Sequence, residues 1–381
     1  MPSLSAHISS VPESGIRRIF EIAVELDDVI LLALGEPDLP VAPHILAAGS
    51  RAWLADQTNY TANGGIPQLR EAIVEKLARE NDLRVQTEQV WVTVGGAQAL
   101  HQAMRLVLGA GDEVLLPDPG YSTFVMSARM LEATPVPYTL RPERGFGPDL
   151  DELETIVTPK TRAIIINSPS NPLGVVYSRE QLQSLVNFAK RHDLWILSDE
   201  VYEYFTFSDQ HVSIASLDTD DRVFSVFSLS KTYAMTGARV GYLVTPPGFT
   251  AIMRTVQEAT ISCVAMPDQL AAVAAITGDH QHVADAREHY RSNLEAACAL
   301  LDAKNIPYLR PTGAFYLWVD LRHATGGDVA VWAEHFLLTE RVAVAPGSAF
   351  GRSGEGWIRI SLTASEADLL AGLARLPSPV A

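Results

Sequence analysis

The chain has 381 residues, of which 47% are hydrophobic and 19% charged, and a formal net charge of −16. That length exceeds one ordinary core and favours two domains, with the composition of a folded globular protein. The acidic balance excludes nucleic acid and an anionic membrane as main partners, because both need basic patches. Cys263 and Cys298 have neither metal-ligand spacing nor a companion histidine cluster, so no disulfide framework and no metal centre are expected. Residues 1–7 lack a basic segment followed by an apolar one, and no apolar run nears the roughly 20 residues of a membrane span. A cytoplasmic protein is the expectation.

In chain order, residues 67–80 carry Leu69, Ile73 and Leu77 at four-residue steps, which predicts a helix. Residues 90–94 (Val-Trp-Val-Thr-Val) read as a strand. Gly95-Gly96 then opens a helix with Ala97, Leu100, Met104 and Val107 on its apolar face. Short apolar runs follow at 113–116, 162–166, 194–197, 223–227 and 240–244. Such runs, separated by helical segments, predict parallel strands buried on both faces, and so an α/β domain. Past residue 250 the pattern changes to helices at 268–277, 285–304 and 329–339, with strand-like runs at 314–319 and 356–360. These predict a smaller α+β domain, comprising residues 1–39 and 266–381, beside a large domain of residues 40–265.

Asn171, Asp199 and Lys231 each follow a strand-like run at its carboxyl end. Open α/β sheets bind ligands at that edge. The densest segment is Ser228-Leu229-Ser230-Lys231, followed by Arg239. It would set an amine, two hydroxyls and a guanidinium around one small, anionic, carbonyl-bearing ligand. Pyridoxal 5′-phosphate is such a ligand: its aldehyde needs a lysine, and its phosphate needs hydroxyl, N–H and arginine donors. Gly95-Gly96-Ala97-Gln98 begins a helix, whose free N–H groups suit an anion. Arg359, between Ile358 and Ile360, points to the face opposite its neighbours and can grip a carboxylate with two parallel hydrogen bonds. Each residue has a plainer reading when taken singly. Asp199 could cap a helix, Asn171-Pro172 could be a turn, and Tyr60 and Tyr121 could be packing. Their occurrence together, in order, favours a site.

From residues 12–17 to residues 357–359 the sequence resembles the fold-type I, pyridoxal-phosphate-dependent aminotransferases of classes I and II. Within them it is similar to the γ-subgroup of aspartate and aromatic aminotransferases. The resemblance implies an α/β large domain, with a mostly parallel sheet flanked by helices, plus a smaller α+β domain. It implies transamination of an L-amino acid with a 2-oxo acid, by way of a Lys231 aldimine and a pyridoxamine form of the cofactor. Lys231 would also carry the proton to and from the substrate α-carbon. Asp199 would pair with the pyridine nitrogen, Tyr202 and Asn171 with the phenolic oxygen, and Tyr121 would stack on the ring. Gly96, Ala97, Gln98, Ser228, Ser230 and Arg239 would hold the phosphate, joined by Tyr60 from the other subunit of a homodimer. Arg359 would bind the substrate α-carboxylate beside Asn171, with the Gly35 backbone closing over it. Ser14, Gly15, Ile16 and Ile19 would line the side-chain pocket.

One position departs from the pattern. Some γ-subgroup aspartate aminotransferases carry a lysine after the Gly-Gly pair, where it helps bind a second carboxylate; this chain has Ala97. A broad, neutral or aromatic substrate range is therefore expected in place of strict aspartate specificity. The same lysine, aspartate and arginine would also serve a lyase or cyclase performing α,β-elimination, carbon–sulfur cleavage or aminocyclopropane-carboxylate synthesis. A ligand-sensing regulator on this fold is disfavoured, since about 30 residues ahead of Gly35 are too few for a helix-turn-helix module and its linker.

Overall fold

The structure, a computed structural model, describes residues 5, 7–208 and 210–379. Its amino-terminal part holds α1 (Gly15–Ala23), β1 (Ile30–Leu31), α2 (Pro43–Leu54) and α3 (Pro67–Glu80). Both α2 and α3 begin on proline, whose fixed φ and missing N–H suit the first helical turn. An alternating series follows: β2 (Val90–Val94), α4 (Gly95–Val107), β3 (Glu113–Asp118), α5 (Thr123–Met130), β4 (Thr134–Thr139) and α6 (Leu150–Ile156). It continues through β5 (Thr161–Asn167), α7 (Arg179–Arg191), β6 (Trp195–Asp199), β7 (Val223–Ser228), α8 (Leu229–Thr232) and β8 (Val240–Val244).

These strands, none longer than the seven residues of β5, form one sheet, β1 apart, in the order β2-β8-β7-β6-β5-β3-β4. Strands β3 to β7 pair in parallel, as expected. The expectation fails for Val240–Val244, which runs antiparallel to both β7 and β2. The reason is the connection. Residues 229–239 hold a single four-residue helix, too little chain for the crossover that a parallel return requires. Strand β4, which carries Pro135 and Pro137, gave no strand-like run in the sequence. It sits at the sheet edge, where a missing N–H costs no ladder bond.

The sheet is buried on both faces. Along β6, Ile196 enters the core shared with the carboxyl-terminal part, while Leu197 enters the core beneath α4 and α5. A third core joins α2 and α3 to β2 and β8.

The carboxyl-terminal part comprises α9 (Thr250–Thr260), α10 (Met266–Thr277), α11 (Gln281–Ala303), β9 (Tyr308–Leu309), β10 (Tyr316–Asp320) and α12 (Val329–Glu340). It ends in β11 (Val342–Ala343), β12 (Ala345–Pro346), β13 (Trp357–Ser361) and α13 (Glu366–Ala374). Helix α10 packs on α2 and α3 beside the large sheet. An antiparallel sheet of order β12-β13-β10-β9 forms the heart of the smaller unit. The amino-terminal chain joins that unit, because β1 pairs with β11 and α1 packs against α12 and β12. Among the described residues, no helix is long and apolar enough to cross a membrane, and no cluster of histidine, cysteine and carboxylate side chains could hold a metal.

Candidate active site

The carboxyl ends of β5, β6 and β7 open into a cavity of about 390 Å³, which the smaller unit and α1 cover. Gly35, Gly96, Ala97, Tyr121, Asn171, Asp199, Tyr202, Ser228, Ser230, Lys231, Arg239 and Arg359 all line it. Two of the residues expected around the cofactor do not. Tyr60 is 90% exposed and outside this chain's own cavity. The Gln98 side chain folds back, its Oε1 accepting the Val94 N–H at 2.6 Å. The start of a helix leaves N–H groups without intrahelical partners, and Gln98 satisfies one of them from within.

Asp199 ends β6 and is 6% exposed. The Val201 N–H reaches its Oδ1 from 3.4 Å. Burial pushes its carboxyl up to about 7, although Lys231 pulls the other way. Lys231 lies in α8, the short turn after β7, where Ser228 caps the helix by accepting the Ser230 N–H. Its Nζ donates to the Gly35 carbonyl at 2.6 Å. Burial, with repulsion from Arg359 and Arg239, pulls the amine down to about 8. An amine with that pKa is partly neutral, and hence nucleophilic, near physiological pH.

At the other end of α8's return loop, Arg239 takes a left-handed φ of 55°. Its Nη1 donates to the Thr236 carbonyl at 2.7 Å and to Ser230 Oγ at 3.4 Å. The guanidinium lies over the first turn of α4: a Cβ on Gly95 would come within 2.5 Å of Arg239 Nη2. Gly241 lets α4 approach β8 so closely, since a Cβ there would meet the Gly95 carbonyl carbon at 2.6 Å. Arginine, hydroxyls and helix-end N–H groups thus converge where an anion would be held.

Arg359, in the middle of β13, is 2% exposed. Its Nη1 donates to Asn171 Oδ1 at 2.8 Å and its Nη2 to the Ala33 carbonyl. Its Nε is buried without a partner, and no carboxylate pairs with it among the described residues. The guanidinium carbon lies 4.3 Å from the Tyr316 ring centroid and 4.9 Å from that of Phe350. A buried cation in this state lacks its counter-ion, and burying a charge without one is costly.

The sequence reading missed Tyr316. It is fully buried on β10, and its hydroxyl lies 2.8 Å from that of Tyr202. A Cβ on Gly35 would meet the same hydroxyl at 2.0 Å, so only glycine fits there. The strand run was legible, but the meeting of Tyr316 with Tyr202, more than a hundred residues earlier, was not. Ser122, Thr123 and Met126 of the α5 region also line the cavity unforeseen, as do Leu34, Leu100, Val201 and Thr236. From α1 come the expected Ser14 and Ile16 and the unexpected Arg17 and Phe20; Ile19 instead turns into the core.

Comparisons with known proteins place the chain in a family. A family described as aminotransferase class I and II matches residues 27–376. The chain is 37% identical to an aspartate aminotransferase of Pyrococcus abyssi, over 94% of this chain and 93% of that one. It is 36% identical, with the same coverage, to aromatic-amino-acid aminotransferase 2 of Thermococcus litoralis. The solved structure of the Thermus thermophilus aspartate aminotransferase with maleate superposes with a TM-score of 0.93 at 34% identity, covering 98% of this chain and 99% of that one.

Proposed function

The chain belongs to the class I and II aminotransferases, and we propose that it exchanges the amino group of an L-amino acid for the oxo group of a 2-oxo acid with pyridoxal 5′-phosphate as carrier. The observation that carries this reading is Arg359, a buried guanidinium without a counter-ion that faces the same cavity as Lys231 and Asp199. A carboxylate, an amine and an electron-accepting ring have complementary groups there. The cofactor's groups fit what is present. The underpaired carboxyl of Asp199 suits a pyridine nitrogen, the Lys231 amine suits an aldehyde, and the α4 end with Ser228, Ser230 and Arg239 suits a phosphate. Tyr202 and Asn171 supply donors for a phenolic oxygen, and Tyr121 a flat face for the ring.

Bound there, the cofactor would supply the carbonyl that takes up the amino group and the ring that withdraws electrons from the α-carbon. The protein's own residues divide the remaining work. Arg359 holds the α-carboxylate and fixes its plane, while Asn171 supports the guanidinium from behind. Lys231, once its amine is released, removes a proton from the α-carbon and returns it in the reverse half-reaction. Asp199 stabilises positive charge on the ring nitrogen in a site where water does not compete. The apolar walls from Ile16, Phe20, Leu34, Leu100, Met126 and Val201 support a neutral or aromatic side chain as one substrate. Since Tyr60 is exposed and stands outside its own cavity, we propose a homodimer in which each Tyr60 reaches the other subunit's site.

The test mixes cofactor-loaded protein with single amino acids and no 2-oxo acid. Stoichiometric conversion to the aminated cofactor, with one equivalent of 2-oxo acid released, is expected. Continuous release of ammonia, pyruvate or a thiol from one amino acid alone would replace this reading with that of a lyase.

A further inference from the structure

Asp118 is a buried carboxylate to which the reading above gives no task. It ends β3, is 8% exposed and lies outside the cavity. No cation stands within ion-pair distance of it among the described residues, and a buried carboxylate in that state is costly. Burial pushes its carboxyl up, while hydrogen bonds from Ser353 and Arg352, and the Arg352 charge, pull it down. Its Oδ1 accepts the Ser353 N–H at 3.1 Å. Ser353 belongs to the loop between β12 and β13, so this bond runs from the large sheet to the smaller unit. The loop is shaped for the contact. Gly351 has a φ of 133°, and a Cβ there would come within 2.1 Å of Asp118 Oδ1, so only glycine lets the carboxylate approach. A main-chain bond runs alongside, the Gly120 N–H donating to the Phe350 carbonyl at 2.8 Å.

We infer that Asp118 is a positioning residue, which ties the turn of Tyr121 to the loop of Phe350 and so fixes the spacing between the ring-stacking face and the Arg359 wall. The inference rests on the transamination reading. Tyr121 follows Asp118 by three residues and lines the cavity. Phe350 precedes Ser353 by three residues. Its ring centroid lies 4.9 Å from the Arg359 guanidinium carbon and 5.8 Å from the Trp318 ring. The tie therefore spans the groups that would meet the cofactor ring and the substrate carboxylate, while Asp118 itself stays outside the cavity. A carboxylate suits this task, because an anion holds a backbone N–H more strongly than a neutral acceptor does. Placement of this kind matters, since a displacement of about 1 Å can cost roughly 100-fold in rate.

The test compares wild type with Asp118→Ala and Asp118→Asn, and repeats Asp118→Ala in the Arg359→Leu background. Two quantities are read: kcat/KM for L-alanine and for L-phenylalanine, and the affinity of cofactor-free protein for pyridoxal 5′-phosphate by equilibrium dialysis. In Asp118→Ala, kcat/KM is expected to fall about 10-fold for both amino acids and cofactor affinity about 5-fold, the size of a charge-assisted hydrogen bond. Asp118→Asn keeps one acceptor in place and recovers part of both. In the Arg359→Leu background the same Asp118→Ala change costs about 3-fold or less in kcat/KM, because the grip it positions is already gone. Should Asp118→Ala not fold, Asp118→Ser takes its place, since its hydroxyl ends one bond short of Ser353. A kcat/KM and a cofactor affinity that both stay within about 2-fold of wild type in the folded variant overturn the inference. So does an equal loss of kcat/KM in both backgrounds, which marks a contact that serves the fold alone. If no amino acid aminates the cofactor of wild type, the transamination reading itself fails and takes this inference with it; normal conversion by wild type confines any failure to Asp118.

Discussion

The cavity has two walls of different origin. One is the carboxyl edge of the large sheet, where β5, β6 and β7 deliver Asn171, Asp199 and Lys231 within a few residues of their last ladder bonds. The other comes from the smaller unit and α1, where Arg359, Tyr316 and Arg17 reach the cavity from elements distant in sequence. The first wall carries Lys231, the group whose protonation changes in the proposed chemistry, and the residues beside it. The second carries groups that stay charged or hydroxylic and hold a substrate in place. If this division is right, damage to the sheet edge lowers kcat for every substrate, whereas damage to the other wall acts through KM and depends on the substrate.

The largest expected effect lies on the sheet edge. Lys231→Ala removes both the amine that would bond the cofactor and the base, so turnover falls to background and borohydride no longer fixes the cofactor to the chain. Retained covalent trapping in that variant would remove Lys231 from the mechanism. Asp199→Asn keeps the shape but loses the charge, with an expected fall in kcat of about 100-fold or more for all amino acids alike. A fall confined to one substrate would break the contrast between the walls.

Arg359→Leu tests the second wall at its strongest point. Loss of a buried, charge-assisted grip on a carboxylate is expected to cost about 2 kcal/mol or more, roughly 30-fold in kcat/KM, mostly as KM. Removal of the unpaired buried charge also relieves an uncompensated desolvation, so the variant should melt no lower than wild type in the absence of substrate. A variant that unfolds more readily would mean that the bonds from Arg359 to Asn171 and Ala33 matter more for the fold than for the substrate.

A pH profile probes Lys231 on the sheet edge and the pull of Arg359 upon it. The Lys231 amine is held down to about 8 by burial and by Arg359 and Arg239. Only the neutral amine attacks an aldehyde. The rate at which cofactor-free protein takes up pyridoxal 5′-phosphate should therefore rise with pH through about 8 and level off above it. The Arg359→Leu variant removes a cation that favours the neutral amine, so its midpoint should move to higher pH. An unmoved midpoint would show that burial and Arg239 set this amine without Arg359.

The two walls also differ in how far the sequence disclosed them. Residues at the sheet edge follow apolar runs directly, so Asp199 after 194–197 and Lys231 after 223–227 could be placed by strand counting. Arg359 was legible because an arginine between two isoleucines must face away from them. Its contact with Tyr316 was not. In the β10–β13 pairing, Tyr316 faces Ser361, two residues from Arg359, and this diagonal depends on register. Gln98 was expected for the N–H groups of the helix start; its side chain takes a separate, local part by accepting the Val94 N–H, which sequence alone did not show. The antiparallel turn of Val240–Val244 was hidden because strands buried on both faces look alike in either direction.

Tyr316→Phe is the smallest change and the most discriminating. It keeps the ring under the Arg359 guanidinium and deletes only the hydroxyl that meets Tyr202 at 2.8 Å. A neutral hydrogen bond contributes about 1 kcal/mol, so the expected loss in kcat/KM is about 5-fold. Because Tyr202 rises from the sheet side and Tyr316 from the smaller unit, this bond couples the two walls. A loss in kcat alone would mean that Tyr316 acts by orienting Tyr202, whereas a loss in KM alone would mean that it acts by supporting Arg359. No loss in either would show that the walls work independently, with each phenol held by its own packing: Tyr202 against Phe315 at 5.3 Å between ring centroids, and Tyr316 beneath Arg359.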